Sequence, residues 1–404
     1  MGPRFATGAV TPTLTWIERP EDPGHPKIML SQLSDAGWSP PATVIEDPRM
    51  LTNWADVPAA HRLPSGHWLV AYPQFRRVGG RDYGLAVVHL NEAFRALDRW
   101  VPDDVARGPE TGFIDFVGDE EGATMLWLDG REMHPRDGRA GATATDSAPS
   151  EDDSHAAHGA GAMTLRALRI DTGGQPVGPS TLLDARTCEC CKLDGARGTN
   201  GPWVVYRDRD DHERRDIRAV AMRIATDNAD GDVGRLFVEQ AAEVHHDGWI
   251  MAGCPVNGPA LARTDTRIFA AWFSAPHGNP RVSLSHSAAG VPNFTPPVRM
   301  DLGEPVGRVD LIALDDGEVL VTWLEGDADQ PGRGTILTRR ITASGEVGPP
   351  LQIHEVGVGR DWGFPRARTT GDAVIWIWTH AEGPHTSLRG ARLDLAQLRT
   401  LSDK

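Results

Sequence analysis

No run of about 18 consecutive apolar residues occurs in the chain, so no transmembrane helix is expected. The opening "MGPRFATGAVTPTLTW" has one early arginine and no apolar leader core. As written, the chain is expected in the cytoplasm, or in the periplasm or medium if a leader has been removed. Positive charge is short: 41 Lys and Arg against 56 Asp and Glu leave a formal net charge of −15. That balance argues against nucleic acid and against an anionic membrane surface as partners. Tyrosine and cysteine are scarce, with three and four residues. Yet Cys188, Cys190 and Cys191 crowd into "ARTCECCKLDGARG", a density that demands an explanation.

What is present suits a turn-rich all-β protein. There are 44 Gly and 31 Pro among 404 residues, with 40% hydrophobic and 24% charged residues, as in globular chains. The length is ample for a large core, and residues 1–404 read as a single domain. One stretch stands apart: 134–162 lacks aromatics, is rich in Ala, Gly, Ser and Asp, and reads as a mobile insertion. Its His134, His155 and His158 offer at most a weak metal catch.

A repeat runs the whole length. Short apolar runs each carry an aromatic and then turn polar, at Trp16, Tyr72, Trp127, Tyr206, Trp272, Trp323 and Trp378. The differences between these positions are 56, 55, 79, 66, 51 and 55 residues, and the longest spans the insertion. A period a little over 50 residues is that of propeller blades. Within a unit, as in "VDLIALDDGEVLVTWLEG", a strand and a Gly/Asp turn precede the aromatic strand, and two more strands follow. The expected fold is therefore an all-β propeller of about seven four-stranded blades, with ring closure hiding the sheet edges. The first unit lacks an obvious first strand. Residues from Phe5 to Val10, or the C-terminus, are the expected donors, and six blades with an irregular N-terminal segment is the alternative.

In such a ring, the loops before each first strand and after each second strand open on one face. The cysteine triplet lies in one such loop and Cys254 in the next, within "AGCPVNGP". All four cysteines thus fall on adjacent blades at one height. Three readings stay open. Thiolates can hold copper or zinc, with Cys188, Cys190, Cys191 and Cys254 as ligands and His246 of "VHHDGW" beside them. Disulfides are the second, with Cys188–Cys191 plus Cys190–Cys254 conceivable. A reactive thiol beside Arg and Lys192 is the third. On the same face, Arg207, Arg308 and Arg366 from different blades can meet an anionic group, and Asp56, Glu110 and Asp310 supply carboxylates for acid–base work. Equally, these Arg and Asp residues can pair with one another and tie blades together. Tyr206 is a candidate catalytic tyrosine, although it occupies the slot that packs blade against blade.

Two turns, "SQLSDAGWSPP" (31–41) and "SHSAAGVPNFTPP" (285–297), resemble the Asp-box of bacterial neuraminidase repeats; the second lacks the Asp. The segments "CECC", "VVYRDR", "DGWIMAGCPVNGPA", "LGEPVGRVD" and "NWAD" resemble a bacterial exo-alpha-sialidase-like group with a CxCC motif. The resemblance covers nearly the whole chain and implies a sialidase-like propeller. It also implies a sialidase-type hydrolase, which uses an arginine triad for the substrate carboxylate, a Tyr–Glu nucleophile pair and an Asp acid/base. The Arg-Ile-Pro motif that begins such enzymes is absent here. The leading expectation is a pocket on that face with a cysteine–metal site, acting on a small anionic or glycan-like ligand. Sialidase-type hydrolysis and a noncatalytic binding propeller are the alternatives.

Overall fold

The computed structural model describes residues 2–19, 24–102, 109–133, 161–225, 233–383 and 385–402. The expected insertion, 134–162, lies outside them except for its last two positions, and so do His134, His155 and His158. Seven antiparallel sheets follow one another along the chain. Blades 2 to 6 are four-stranded meanders, beginning at Ala59–Arg62, Thr111–Asp119, Asp194–Arg197, Ala260–Arg263 and Pro305–Ala313. Blade 1 takes its inner strand from Arg4–Phe5, which pairs with Thr13–Glu18, so the N-terminal segment supplies the missing strand and overlaps the expected stretch at Phe5. Blade 7 has three strands, Arg366–Thr370, Ala373–Glu382 and His385–Asp394. Its outer side is covered by the helix Leu395–Ser402, whose Leu395 and Leu398 pack with Leu320, Ile336, Trp376 and Trp378.

The repeated aromatics sit on the second strand of each blade, between neighbouring sheets. Tyr72, Trp127, Tyr206, Trp272 and Trp323 are all almost fully buried. A buried O–H or indole N–H needs an acceptor, and each of these finds a carboxylate. Tyr72 donates to Asp47 at 2.8 Å, Trp127 to Asp129 at 2.8 Å, Tyr206 to Asp184 at 2.5 Å, Trp272 to Asp247 at 2.7 Å and Trp323 to Glu325 at 2.5 Å. Tyr206 is thus one of a series rather than a residue set apart. The two Asp-box-like turns also match one another. Each joins the third and fourth strands of its blade, with Ser31 Oγ donating to Ser39 O and Ser285 Oγ to Thr295 O.

Nearer the axis, a second series joins blade to blade. The side chain at the start of one inner strand accepts the backbone N–H of the next: Asp56 from Phe113, Asp115 from Gly195, Asp194 from Leu261, Asn257 from Arg308 and Asp310 from Ala367, all at 2.7–2.9 Å. Backbone shape makes room for these contacts. Phe113 and Arg308 adopt φ of 53° and 52° inside matching bulges. A Cβ on the preceding Gly112 would lie 1.9 Å from Asp56 Oδ2, and one on Gly307 would lie 2.5 Å from Asn257 Oδ1. The ring closes when Arg368 donates to the carbonyls of Ala6 and Ala9 on blade 1. Trp54 and Phe364 stack at 5.5 Å, joining the loops of blades 2 and 7.

Asp115 serves two of these contacts, since its other oxygen pairs with Arg4. Asp115→Ala is expected to lower stability by roughly 3–5 kcal/mol, because it strands a largely buried cation and an N–H together. Asp115→Asn, which keeps the acceptor for Gly195, loses less. The shift in urea-unfolding midpoint measures both.

Candidate functional site

The loop before blade 4 carries Cys188, Cys190 and Cys191, all buried, and the loop before blade 5 brings in the half-buried Cys254. Cys190 and Cys254 form a disulfide between the two blades, with Cα atoms 6.0 Å apart. Cys188 Sγ lies 3.0 Å from Cys191 Sγ and 4.0 Å from Cys190 Sγ. The three triplet sulfurs fall within 4.8 Å of one another, a grouping that can hold a metal ion. Two of the four thiols are spent on the disulfide in this form, so Cys188 and Cys191 remain as free thiols.

The segment after the second strand of blade 4 clamps both cysteine loops. Arg215, 1% exposed, donates to Cys188 Sγ and Glu189 at 3.2 Å, to Glu213 at 2.9 Å and to the Met251 carbonyl at 3.1 Å. Glu189 is buried and also pairs with Arg209. Burial alone raises the Cys188 thiol. Its hydrogen bond with Cys191 and the charges of Arg215 and Arg207 outweigh that and bring it down to about 6. Cys191 moves the other way, pushed well above the usual thiol range by burial and then by Cys188 beside it.

His246 does not join the sulfurs. Its Nδ1 is 2.9 Å from Asp216 and its Nε2 is 3.1 Å from Arg214, on an exposed edge. An Asp and an Arg on the neighbouring loop orient the ring away from the role expected of it. The three arginines expected to meet on one anion have separate partners. Arg207 donates to the carbonyls of Asn257, Arg215 and Phe273, with its guanidinium 4.9 Å from the Trp249 ring centre. Arg308 donates to Gly363 O and Val358 O and lies 5.2 Å from the Trp54 ring centre. Arg366 pairs with Asp310 at 3.2 Å. Asp56 and Asp310 are the blade ties described above, and Tyr206 belongs to the packing series.

Where the inner strands begin, the axis is nearly filled. A cavity of about 20 Å³, room for one water, is lined by Arg4, Asp56, Phe113, Lys192, Asp194 and Arg366. A wider opening of about 540 Å³ lies at the other end of the inner strands, among Phe5, Val10, Leu261, Ile312 and Thr370. The narrow end holds the perturbed groups. Burial pushes Asp56 up to about 7, although the Phe113 N–H and Arg4 oppose it. Its Oδ2 is buried without a hydrogen-bond partner. Burial likewise raises Asp194 to about 6 and lowers Lys192 to about 8, with Lys192 Nζ donating to Pro259 O at 2.7 Å. Beside Asp56, Tyr83 donates its hydroxyl to Glu110 Oε2 at 2.9 Å. Burial first, then the charges of Glu110 and Asp56, pushes that hydroxyl well above the ordinary tyrosine range.

Sequence reasoning passed over Arg4, Tyr83, Asp115 and Asp194. A signal for two of them existed. "GFID", "CKLD" and "GRVD" repeat an aliphatic–Asp step before inner strands, ending at Asp115, Asp194 and Asp310. Tyr83 and Glu110 lie 27 residues apart on different blades, and no local pattern joins them.

No family model matches the chain, and no curated protein does. Solved structures match over nearly all of it. The polysaccharide lyase Uly1 superposes with a TM-score of 0.52 at 10% identity, covering 98% of this chain and 90% of that one. A puromycin hydrolase gives 0.50 at 14%, covering 98% of this chain and 52% of that one. The Hadza microbial sialidase Hz136 gives 0.49 at 13%, covering 96% and 74%. At these identities the likeness is one of fold alone: the chain is a β-propeller of seven blades.

Asp56 supplies a pH test. Its carboxyl is raised in the folded state, so folding binds a proton more tightly than the unfolded chain does. Its contribution is fully present below pH 4 and is lost as pH rises to about 7. Asp56→Asn is expected to flatten the stability profile across that window, as read by urea unfolding at a series of pH values.

Proposed function

We propose that the four cysteines, when fully reduced, hold a copper or zinc ion, and that this centre with its Arg and Asp neighbours binds or transforms a small anionic or glycan-like molecule. The observation that carries this reading is the meeting of sulfurs from two blades: three within 4.8 Å of one another and the fourth bonded to one of them. Thiolates are soft donors and select copper(I) or zinc over hard cations. Arg215 and Glu189 would be the groups that orient and balance the charge of those ligands. A reducing cytoplasm keeps thiols in the form that binds. Untagged protein purified under reductant is expected to carry near-stoichiometric copper or zinc, and Cys254→Ala to lose it. Metal-free protein with four titratable thiols would sink the reading.

A second reading, sialidase-type or other glycan hydrolysis, is favoured by the Tyr83–Glu110 hydrogen bond beside Asp56. Glu110 is positioned as a general base to take the proton of the Tyr83 hydroxyl, whose raised range makes such a base necessary for nucleophilic attack. The fold that this chain shares with a polysaccharide lyase supports a saccharide ligand. Turnover of a fluorogenic sialoside is expected to fall by roughly 100-fold or more in Tyr83→Phe, the size of loss that removing a positioned catalytic group brings. Absence of turnover by the unaltered protein removes the sialidase form of this reading.

A further inference from the structure

The cross-blade disulfide and the free thiol pair are adjacent, and their arrangement has a chemical consequence whether or not an ion is ever bound. Cys190 is the sulfur common to both: it is bonded to Cys254, and its Sγ lies 4.0 Å from Cys188 Sγ. Cys188 in turn touches Cys191 at 3.0 Å and receives an N–H from Arg215 at 3.2 Å. A cation on an attacking sulfur favours its nucleophilic form. Solvent access is uneven. Cys188 and Cys191 are 1% and 2% exposed and Cys190 is 7% exposed, whereas Cys254 is partly open.

We propose that the four cysteines form an internal thiol–disulfide exchange centre, in which the disulfide migrates from Cys190–Cys254 to Cys188–Cys191 and delivers Cys254 as a free, solvent-facing thiol. In the first step the Cys188 sulfur attacks Cys190 Sγ: a Cys188–Cys190 bond forms and the bond to Cys254 breaks. In the second, the Cys191 sulfur attacks Cys188, and Cys190 leaves. Each attacking sulfur passes its hydrogen or negative charge to the sulfur displaced. Two electrons move from the Cys188/Cys191 pair to the Cys190/Cys254 pair, and no outside oxidant or reductant is consumed. Cys188 and Cys191 are three apart in sequence and already in contact, so the new disulfide closes within one loop, and the link between blades 4 and 5 is released. The freed Cys254 is the group that would exchange with an external thiol or disulfide, the substrate class this centre is built to meet.

The test uses folded, metal-free, full-length protein without reductant. Iodoacetamide is added, the reaction is stopped with acid, and the cysteines are mapped by mass spectrometry after a second label under denaturing conditions. Slow labelling of Cys254 alone among the four, matched by recovery of a Cys188–Cys191 disulfide, is expected. Cys188→Ser should slow Cys254 labelling by at least roughly tenfold, because the attacking sulfur is gone. Cys191→Ser should stop the exchange half-way, with a Cys188–Cys190 disulfide trapped. Two results would overturn the proposal: an unlabelled Cys254 with Cys190–Cys254 intact, or labelling as fast in Cys188→Ser as in the parent. If Cys188→Ser does not fold, the trapped species in Cys191→Ser decides. Metal analysis is a separate measurement, so a blank there removes the metal reading and leaves the exchange standing.

Discussion

The molecule depends on one contact repeated around its axis: a side-chain oxygen of one blade accepting a backbone N–H near the start of the next blade's inner strand. Apart from the parallel bridge of Thr7 to His61, inner strands of adjacent blades do not pair, so these N–H groups would otherwise lie buried and unsatisfied, each at a cost of about 1–3 kcal/mol. Asp56, Asp115, Asp194, Asn257 and Asp310 remove that cost and set the rotation between blades at the same time. The negative charge this gathers at the axis is answered by Arg4, Lys192 and Arg366. That pairing fills the axis at one end and leaves room for about one water. Structure and electrostatics are therefore one problem here, and the perturbed Asp56, Asp194 and Lys192 follow from solving it in a confined space.

The cysteine centre grows from the same frame. Blades 4 and 5 meet through Asp194 and Leu261, and the loops just ahead of those positions carry the sulfurs. Arg207 fixes the second loop by the Asn257 carbonyl, and Arg215 bridges the first loop to the Met251 carbonyl. The thiols are thus held by a rigid, charged support. The disulfide and the free thiol pair share this one support.

Much of the fold was legible along the chain. Seven aromatics at a regular step gave the blade count, because every blade must fill the same wedge against its neighbour with one large ring. The height of the four cysteines was legible too, since loop position follows once strands are counted. The roles of the arginines were not. Arg207 and Arg308 look like ligand-binding groups in sequence, yet their donors meet backbone carbonyls exposed by bulges and loops. Carbonyl direction depends on backbone angles such as the φ of 52° at Arg308, which a string of residue types does not state.

By itself the sequence determined the class of fold, the number of repeats, the acidic balance and the gathering of all four cysteines on two adjacent blades. These follow from periodicity and composition, which are properties of order along the chain. Only the tertiary structure decided that Cys190 pairs with Cys254, that His246 turns to Asp216, and that Tyr83 meets Glu110 beside Asp56. Each of those is a matter of a few ångströms between groups on different strands or loops. Such distances are set by blade rotation and loop closure, and residues far apart in sequence acquire a separation only when the ring is complete.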